Sequence, residues 1–379
     1  MSNAPAPAQA MVPLADPRGE NALLREALIK AATSVIDSGP YILGPAVAGF
    51  ESALAPALGG AAAVGVGSGT DALVLAMLAA QVLPGDEVIV PSHTAGPSVA
   101  AIRMLNAVPV FADVELETGC LDPASVAACM GPKVKAIIAV HLYGHPAEVA
   151  ELKRIADAHG ATLIEDCAQA LGAAVDGRPV GSLGHVACFS FYPTKNLGAL
   201  GDGGAVASLD PALVARAKAL RAYGWATKPQ FAELPYGRCS RLDELQAALL
   251  AVKLEHLDAW NERRRAVAAA YNEAFADLPL SLPVERHGTR HVYHLYVVRS
   301  ERRDALEAAL ARRGIGTGRH YPYPCHIQPG LADGARQSVP LATTERLQGE
   351  ILSLPVFASM TDGQVDRVID AVRAAVREA

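Results

Sequence analysis

Lys195 stands in Phe189-Ser190-Phe191-Tyr192-Pro193-Thr194-Lys195-Asn196-Leu197-Gly198, an apolar strand-like run that ends in a turn bearing proline and glycine. A lysine withdrawn from water loses its proton more readily, and a neutral amine attacks aldehydes and ketones to form a Schiff base. Most lysines are solvated surface charges, so this one gains meaning only from its companions. One companion is Thr162-Leu163-Ile164-Glu165-Asp166-Cys167-Ala168-Gln169-Ala170, an apolar strand ending in two acids, then small residues and an amide. An acid at the carboxyl end of a strand lies on the face where open α/β sheets hold ligands. The other is Ala63-Val64-Gly65-Val66-Gly67-Ser68-Gly69-Thr70-Asp71, which runs from a strand through glycines into the apolar-periodic segment 72–83. The free N–H groups and dipole of a helix start attract phosphate.

A phosphate cradle, an acid and a lysine, each at the end of a strand, are the parts that hold pyridoxal 5'-phosphate. The cradle anchors the phosphate, Asp166 keeps the pyridine nitrogen protonated so that the ring draws electrons, and Lys195 forms the Schiff base. Other readings of the glycine loop fit less well. It lacks the lysine of a P-loop, and Gly65, Gly67 and Thr70 do not complete a dinucleotide G-x-G-x-x-G, which leaves Asp86 and Glu87 without that role.

With these residues in place the chain resembles the DegT/DnrJ/EryC1/StrS nucleotide-sugar aminotransferases, within the fold type I superfamily of pyridoxal-phosphate enzymes. The resemblance runs through Gly67-Ser68-Gly69-Thr70-Asp71-Ala72-Leu73, Pro84-Gly85-Asp86-Glu87-Val88-Ile89-Val90-Pro91-Ser92-His93-Thr94 and Val140-His141-Leu142-Tyr143-Gly144. It continues through Glu165-Asp166-Cys167-Ala168-Gln169-Ala170, the lysine segment, Leu200-Gly201-Asp202-Gly203-Gly204 and Ser240-Arg241-Leu242-Asp243-Glu244-Leu245-Gln246. These blocks keep the family's order over roughly residues 20–360.

The resemblance implies that Gly69, Thr70 and Ser190 bind the cofactor phosphate and that Asp166 pairs with the pyridine nitrogen. Ala168 packs on a ring face, and Gln169 reaches the ring hydroxyl or lies near the substrate. Lys195 is both the Schiff-base lysine and the acid–base that moves the proton. His93, Tyr192, Tyr223, Arg241, His320, Tyr321 and His326 are candidate substrate contacts. The implied reaction moves an amino group from L-glutamate to a keto-6-deoxy sugar on a nucleoside diphosphate. Amination at C3 of a dTDP-linked 3-keto sugar is the nearest match, with C4 as the alternative within the family. The implied assembly is a cytoplasmic homodimer with shared active sites, serving lipopolysaccharide or glycosylated natural products.

Three positions depart from the family pattern. Cys239 replaces an asparagine that reaches the neighbouring subunit's cofactor phosphate, and sulfur is a poor donor. Ala95 stands where many relatives place an aromatic residue on the pyridine face, and Leu171 replaces a histidine. Lys195 itself argues against the dehydratase branch, which carries histidine there. Two readings from other classes remain: a non-catalytic cofactor-binding sensor, and an amino-acid aminotransferase, for which Arg319 is the arginine to test as a carboxylate clamp.

The 379 residues can bury a large core and form two domains, and 51% hydrophobic with 19% charged content fits a well-buried α/β protein. No apolar run reaches the roughly 18 residues of a membrane span, no secretory signal stands at the start, and a net charge of -6 provides no basic field for nucleic acid. The six cysteines, Cys120, Cys129, Cys167, Cys188, Cys239 and Cys325, contain no C-x-x-C pair, which fits reduced core thiols. No metal site is expected either, because His320, Cys325 and His326 lack zinc spacing.

Candidate strands at 63–66, 87–90, 108–112, 136–140, 162–165, 186–191 and 204–207 alternate with helical stretches, which calls for a mainly parallel seven-stranded sheet covered by helices. The segment 242–276 reads as one long helix or two in tandem. Beyond it a strand-like stretch at 291–299 and amphipathic helices at 303–313 and 364–378 form a smaller α+β domain. The expected division is a leader at 1–20, a large cofactor-binding domain at 21–255 and a small domain at 256–379.

Overall fold

The computed structural model describes residues 11–378. All seven expected strands form, as Ala62–Val66, Glu87–Pro91, Val108–Ala112, Val134–Val140, Thr162–Asp166, Val186–Ser190 and Gly204–Ser208. Their interiors are buried almost without interruption, so side chains of both pleat faces enter apolar layers. That is the pattern of a sheet covered on two sides.

Across the sheet the order is 62–66, 204–208, 186–190, 162–166, 134–140, 87–91 and 108–112, with the two-residue strand Arg336–Gln337 as an eighth at the edge. All pairings are parallel except the two made by Gly204–Ser208, which runs antiparallel between Ala62–Val66 and Val186–Ser190. The carboxyl ends of 62–66, 87–91, 134–140, 162–166 and 186–190 therefore share one edge with the amino end of 204–208.

Three apolar clusters hold the chain together. One joins the sheet to the helices Gly69–Ala79, Gly96–Met104 and Val149–Ala158. A second gathers Phe50, Phe189, Phe191, Leu242 and Leu257 on the other face. A third packs Val267, Tyr271, Phe275, Tyr296, Leu310 and Val372 together with Val12. The tandem reading of 242–276 applies: helices Glu244–Leu254 and Leu257–Ala274 meet at His256. The second helix crosses between cores, since Leu257 belongs to the cluster around Phe191 and Tyr271 to the cluster around Tyr296. Of the stretch 291–299 only Tyr296–Arg299 is strand, paired antiparallel with Ile351–Leu354, and helices Arg303–Arg312 and Asp362–Glu378 cover it.

The first ten residues of the expected leader lie outside the described residues. The next ten are built into the fold. Val12 is buried and pairs through its backbone with Gly314 and Gly316. Glu20, buried in helix Pro17–Leu23, accepts from the N–H of Ala358 at 3.0 Å and faces the buried Arg264 at 3.4 Å.

Removing one partner of a buried ion pair strands the other charge, at a cost of about 3–5 kcal/mol. Glu20→Ala is expected to destabilise the 267–375 core by that amount in urea unfolding, and a loss under about 1 kcal/mol would show that Arg264 is satisfied by carbonyls alone.

Candidate active site

Lys195 follows Val186–Ser190 in a turn that closes on itself. Its N–H donates to the Tyr192 carbonyl at 2.8 Å, Phe191 N–H to Gly203 at 2.8 Å, and Ala199 N–H to Phe191 at 2.7 Å. Gly198 has no room for a side chain, because a Cβ there would meet the Pro193 carbonyl oxygen at 2.4 Å. Next to the lysine, the buried Asn196 donates to Asn261 Oδ1 at 2.7 Å and to the Val292 carbonyl at 3.2 Å, and its Oδ1 lies 3.1 Å from His294 Nδ1. Lys253 Nζ donates to the Gly198 carbonyl at 2.6 Å. The turn is thus pinned from below, and Lys195 is the side chain it presents to the cavity.

That cavity, about 230 Å³, is lined by Ser68, Gly69, Thr70, Asp166, Ala168, Gln169, Ser190, Tyr192 and Lys195, with Thr94, Ala95, Pro97, Ser98 and Asp202. Nearly all follow the carboxyl ends of parallel strands, where such sheets bind ligands. Desolvation lowers the Lys195 pKa to about 8, against the opposing charge of Asp166. Asp166 is buried, and burial pushes its carboxyl above the ordinary range; the Ser98 hydroxyl, the Ala168 N–H and the charges of Lys195 and His141 oppose the rise. Ser98 Oγ donates to Asp166 Oδ2 at 2.8 Å and Ala168 N–H to Oδ1 at 3.2 Å, which orients the carboxylate.

At the other end of the cavity, Ser68 caps helix Gly69–Ala79 by accepting from Asp71 N–H at 3.1 Å. The first-turn N–H groups of Gly69 and Thr70 remain for a ligand. Close approach makes glycine obligatory at 69 and 204: a Cβ on Gly69 would lie 2.6 Å from Ser190 Cβ, and one on Gly204 2.5 Å from the Ser68 carbonyl. A phosphate-sized cradle, a buried carboxylate and a readily deprotonated amine in one cavity fit pyridoxal phosphate, whose cationic ring nitrogen would offset the desolvation of Asp166.

Gln169 is buried with both ends of its amide engaged. Oε1 accepts from Tyr143 N–H at 2.6 Å, and Nε2 donates to the Tyr321 hydroxyl at 2.8 Å. Tyr321, with His320 beside it, therefore stands next to Gln169, one contact away from the cavity lining. Burial lowers the His320 pKa to about 4, with the Lys195 charge adding to the shift, and its Nδ1 lies 2.8 Å from Ser353 Oγ. An uncharged His320 can hydrogen-bond a sugar but brings no charge to a phosphate.

The remaining sequence candidates lie off the lining of this cavity. His93 is buried behind it, its Nε2 2.8 Å from the Tyr143 hydroxyl. His326 turns away to Ser92 Oγ at 2.7 Å and toward Glu345 at 3.7 Å. Cys239, Arg241 and Tyr223 form a separate surface group, with Arg241 Nη2 3.0 Å from Cys239 Sγ and its guanidinium 6.0 Å from the Tyr223 ring centroid. His320, Cys325 and His326 have separate partners, Cys325 Sγ donating to the Thr94 carbonyl at 3.6 Å. The close group His141, Glu165 and Cys167 is likewise spent internally: Glu165 accepts from the N–H groups of Gly181, Leu183 and Gly184 and lies 3.1 Å from His141 Nε2. Ser98 and Asn196 escape sequence reasoning, because nothing local marks a serine inside a helix or an asparagine beside the lysine as a support.

The sequence profile of the DegT/DnrJ/EryC1/StrS aminotransferase family matches residues 23–373, and the chain belongs to that family. It is 46% identical to the dTDP-3-amino-3,4,6-trideoxy-alpha-D-glucose transaminase of Streptomyces venezuelae over 96% of this chain and 95% of that protein. It is 42% identical to the dTDP-3-amino-3,6-dideoxy-alpha-D-galactopyranose transaminase of Aneurinibacillus thermoaerophilus over 96% and 99%. The crystal structure of S. venezuelae DesV in complex with a ketimine intermediate superposes with a TM-score of 0.94 at 45% identity, covering 98% of this chain and 100% of that one. The chain is an aminotransferase with the fold type I architecture, and its cofactor is pyridoxal 5'-phosphate.

Because the neutral form of Lys195 is the nucleophile, uptake of pyridoxal phosphate by the cofactor-free protein is expected to accelerate as pH rises through about 8. Asp166→Asn removes the charge that holds this pKa up, so the midpoint moves lower. Uptake followed by absorbance across pH 6–11, as roughly spaced buffers, checks both, and a midpoint at the ordinary lysine value counts against a desolvated amine.

Proposed function

We propose that the enzyme transfers the amino group of L-glutamate to C3 of a 3-keto-6-deoxyhexose carried on dTDP, acting as a cytoplasmic homodimer. The observation that carries this reading is the near full-length similarity to two transaminases whose names share an amine at C3 of a dTDP sugar while differing in the sugar itself. Membership of the family supports sugar rather than amino-acid chemistry, and so does the fate of Arg319, which is tied to Glu307 and Asp304.

When bound, the cofactor supplies an electron sink and carries the amino group between donor and acceptor. Gly69, Thr70 and Ser190 hold its phosphate in this reading, and Asp166, oriented by Ser98 and Ala168, takes the ring nitrogen. Ala168 and Gln169 line the ring's place. Lys195 accepts and returns the proton that shifts as the amine moves, which a pKa of about 8 suits at neutral pH. Tyr192 stands exposed at the mouth, and His320 and Tyr321 approach from the small-domain side. Ala95 lines the cavity with no aromatic ring to offer.

Two surface features support the dimer. Ile29, Ile36, Tyr41 and Ile42 expose apolar side chains on one stretch of chain, the composition of a contact surface. Cys239, Tyr223 and Arg241 lie outside their own cavity, as residues offered to a neighbouring subunit's phosphate would. Among the described residues no helix is long and apolar enough to cross a membrane.

Adding L-glutamate to the holoenzyme is expected to move its visible band to the near-ultraviolet, and Lys195→Ala abolishes the change. Given the 3-keto and the 4-keto dTDP sugar separately, the enzyme is expected to aminate the first, with nitrogen on C3 in the NMR spectrum of the product; amination of the 4-keto sugar alone would overturn the regiochemistry. Cys239→Asn restores an amide donor and is expected to slow cofactor loss on dialysis, whereas equal or faster loss would detach position 239 from the phosphate.

A further inference from the structure

Tyr143 sits in the short helical turn Leu142–Gly144 that follows strand Val134–Val140, with a left-handed φ of 61°. Every polar group it owns is spent on joining separate parts of the molecule. Its N–H donates to Gln169 Oε1 at 2.6 Å, and its carbonyl accepts from Leu295 N–H at 3.2 Å. Its hydroxyl donates to the backbone carbonyl of His320. A carbonyl can only accept, so the one phenolic proton is used there, and His93 must donate its Nε2–H to the Tyr143 oxygen.

The same accounting fixes Gln169. Since Tyr143 N–H can only donate, the amide must turn Oε1 toward it and Nε2 toward Tyr321. The Tyr321 oxygen is therefore an acceptor in this contact, and its own proton is left over. We propose that Tyr143 is a positioning residue for the sugar half of the reaction: it clamps the His320–Tyr321 segment to the sheet and, through Gln169, leaves the Tyr321 hydroxyl free to donate to the bound sugar. This rests on the sugar-aminotransferase reading. The clamp meets the cofactor's place only through Gln169, whose bond from the Tyr143 backbone N–H persists in Tyr143→Phe, so the half-reaction with the amino donor does not depend on the hydroxyl.

The test uses the holoenzyme and the variants Tyr143→Phe, Tyr321→Phe and the double variant, with the two half-reactions timed separately in single turnovers. In Tyr143→Phe the spectral change with L-glutamate is expected to stay within about twofold of the unmodified rate. In the same variant kcat/KM for the keto sugar falls by roughly tenfold to a hundredfold, the scale of one hydrogen bond lost with partners left unsatisfied. Tyr321→Phe loses a similar amount, and the double variant loses little more than either, because both changes remove one function. Equal slowing of both half-reactions in Tyr143→Phe would mark a merely structural residue and overturn the proposal, as would fully multiplicative losses or an unaltered sugar half-reaction. The unmodified enzyme separates the two failures: if it aminates no keto sugar, the functional reading falls and takes the clamp with it.

Discussion

An amine and a carboxylate withdrawn from water into one cavity set the conditions that the rest of this structure has to meet. Each group alone is costly to desolvate, and each lowers the other's cost. Their strands lie side by side, with Asp166 in register with Cys188, so the two groups leave the sheet close together. The acid is held by Ser98 and the Ala168 N–H, while the lysine is carried on a turn braced by Asn196 and Lys253. Those braces reach helix Leu257–Ala274 and the segment around Val292, so the position of the reactive amine depends on where the chain leaves the large sheet.

The seven strands were legible from sequence because each is a short, nearly continuous apolar run bounded by turn residues. Their order was not. Nothing in Gly204-Ala205-Val206-Ala207-Ser208 announces that it inserts antiparallel between the first strand and the sixth. Part of the cavity lining was legible for a related reason: the phosphate loop, Asp166 and Lys195 each end a strand, and the strand ends converge. The supports were not, since they act over long sequence separations. Ser98 lies 68 positions from Asp166, and Tyr143 lies 177 from His320. His326 shows the reverse case, a polar residue in a promising loop that finds its partner 234 positions away at Ser92.

The chain beyond residue 256 approaches the cavity through a loop and supplies none of its lining. His320 and Tyr321 hang from bonds to Ser353, Tyr143 and Gln169, and only the first of these lies in the same later part of the chain. A substrate that displaces this loop has to break contacts to the large sheet, whereas the Lys195 turn and the helix start at Gly69 stay as they are. Anchoring of the cofactor and fitting of the acceptor are thus assigned to different parts of the chain.

The placement of Ala62–Val66 at the sheet edge has a consequence for assembly. Among the described residues its only strand partner is Gly204–Ser208, some 140 residues later, and Ser68, Gly69 and Thr70 follow directly from it. During synthesis the strand that leads into this helix start has no sheet partner until the chain has been made past residue 208. Pairing over such a separation is slow because the loop must close before any contact repays it. The phosphate cradle is therefore complete only after residue 208, since Gly69 lies against Ser190 and Ser68 against Gly204.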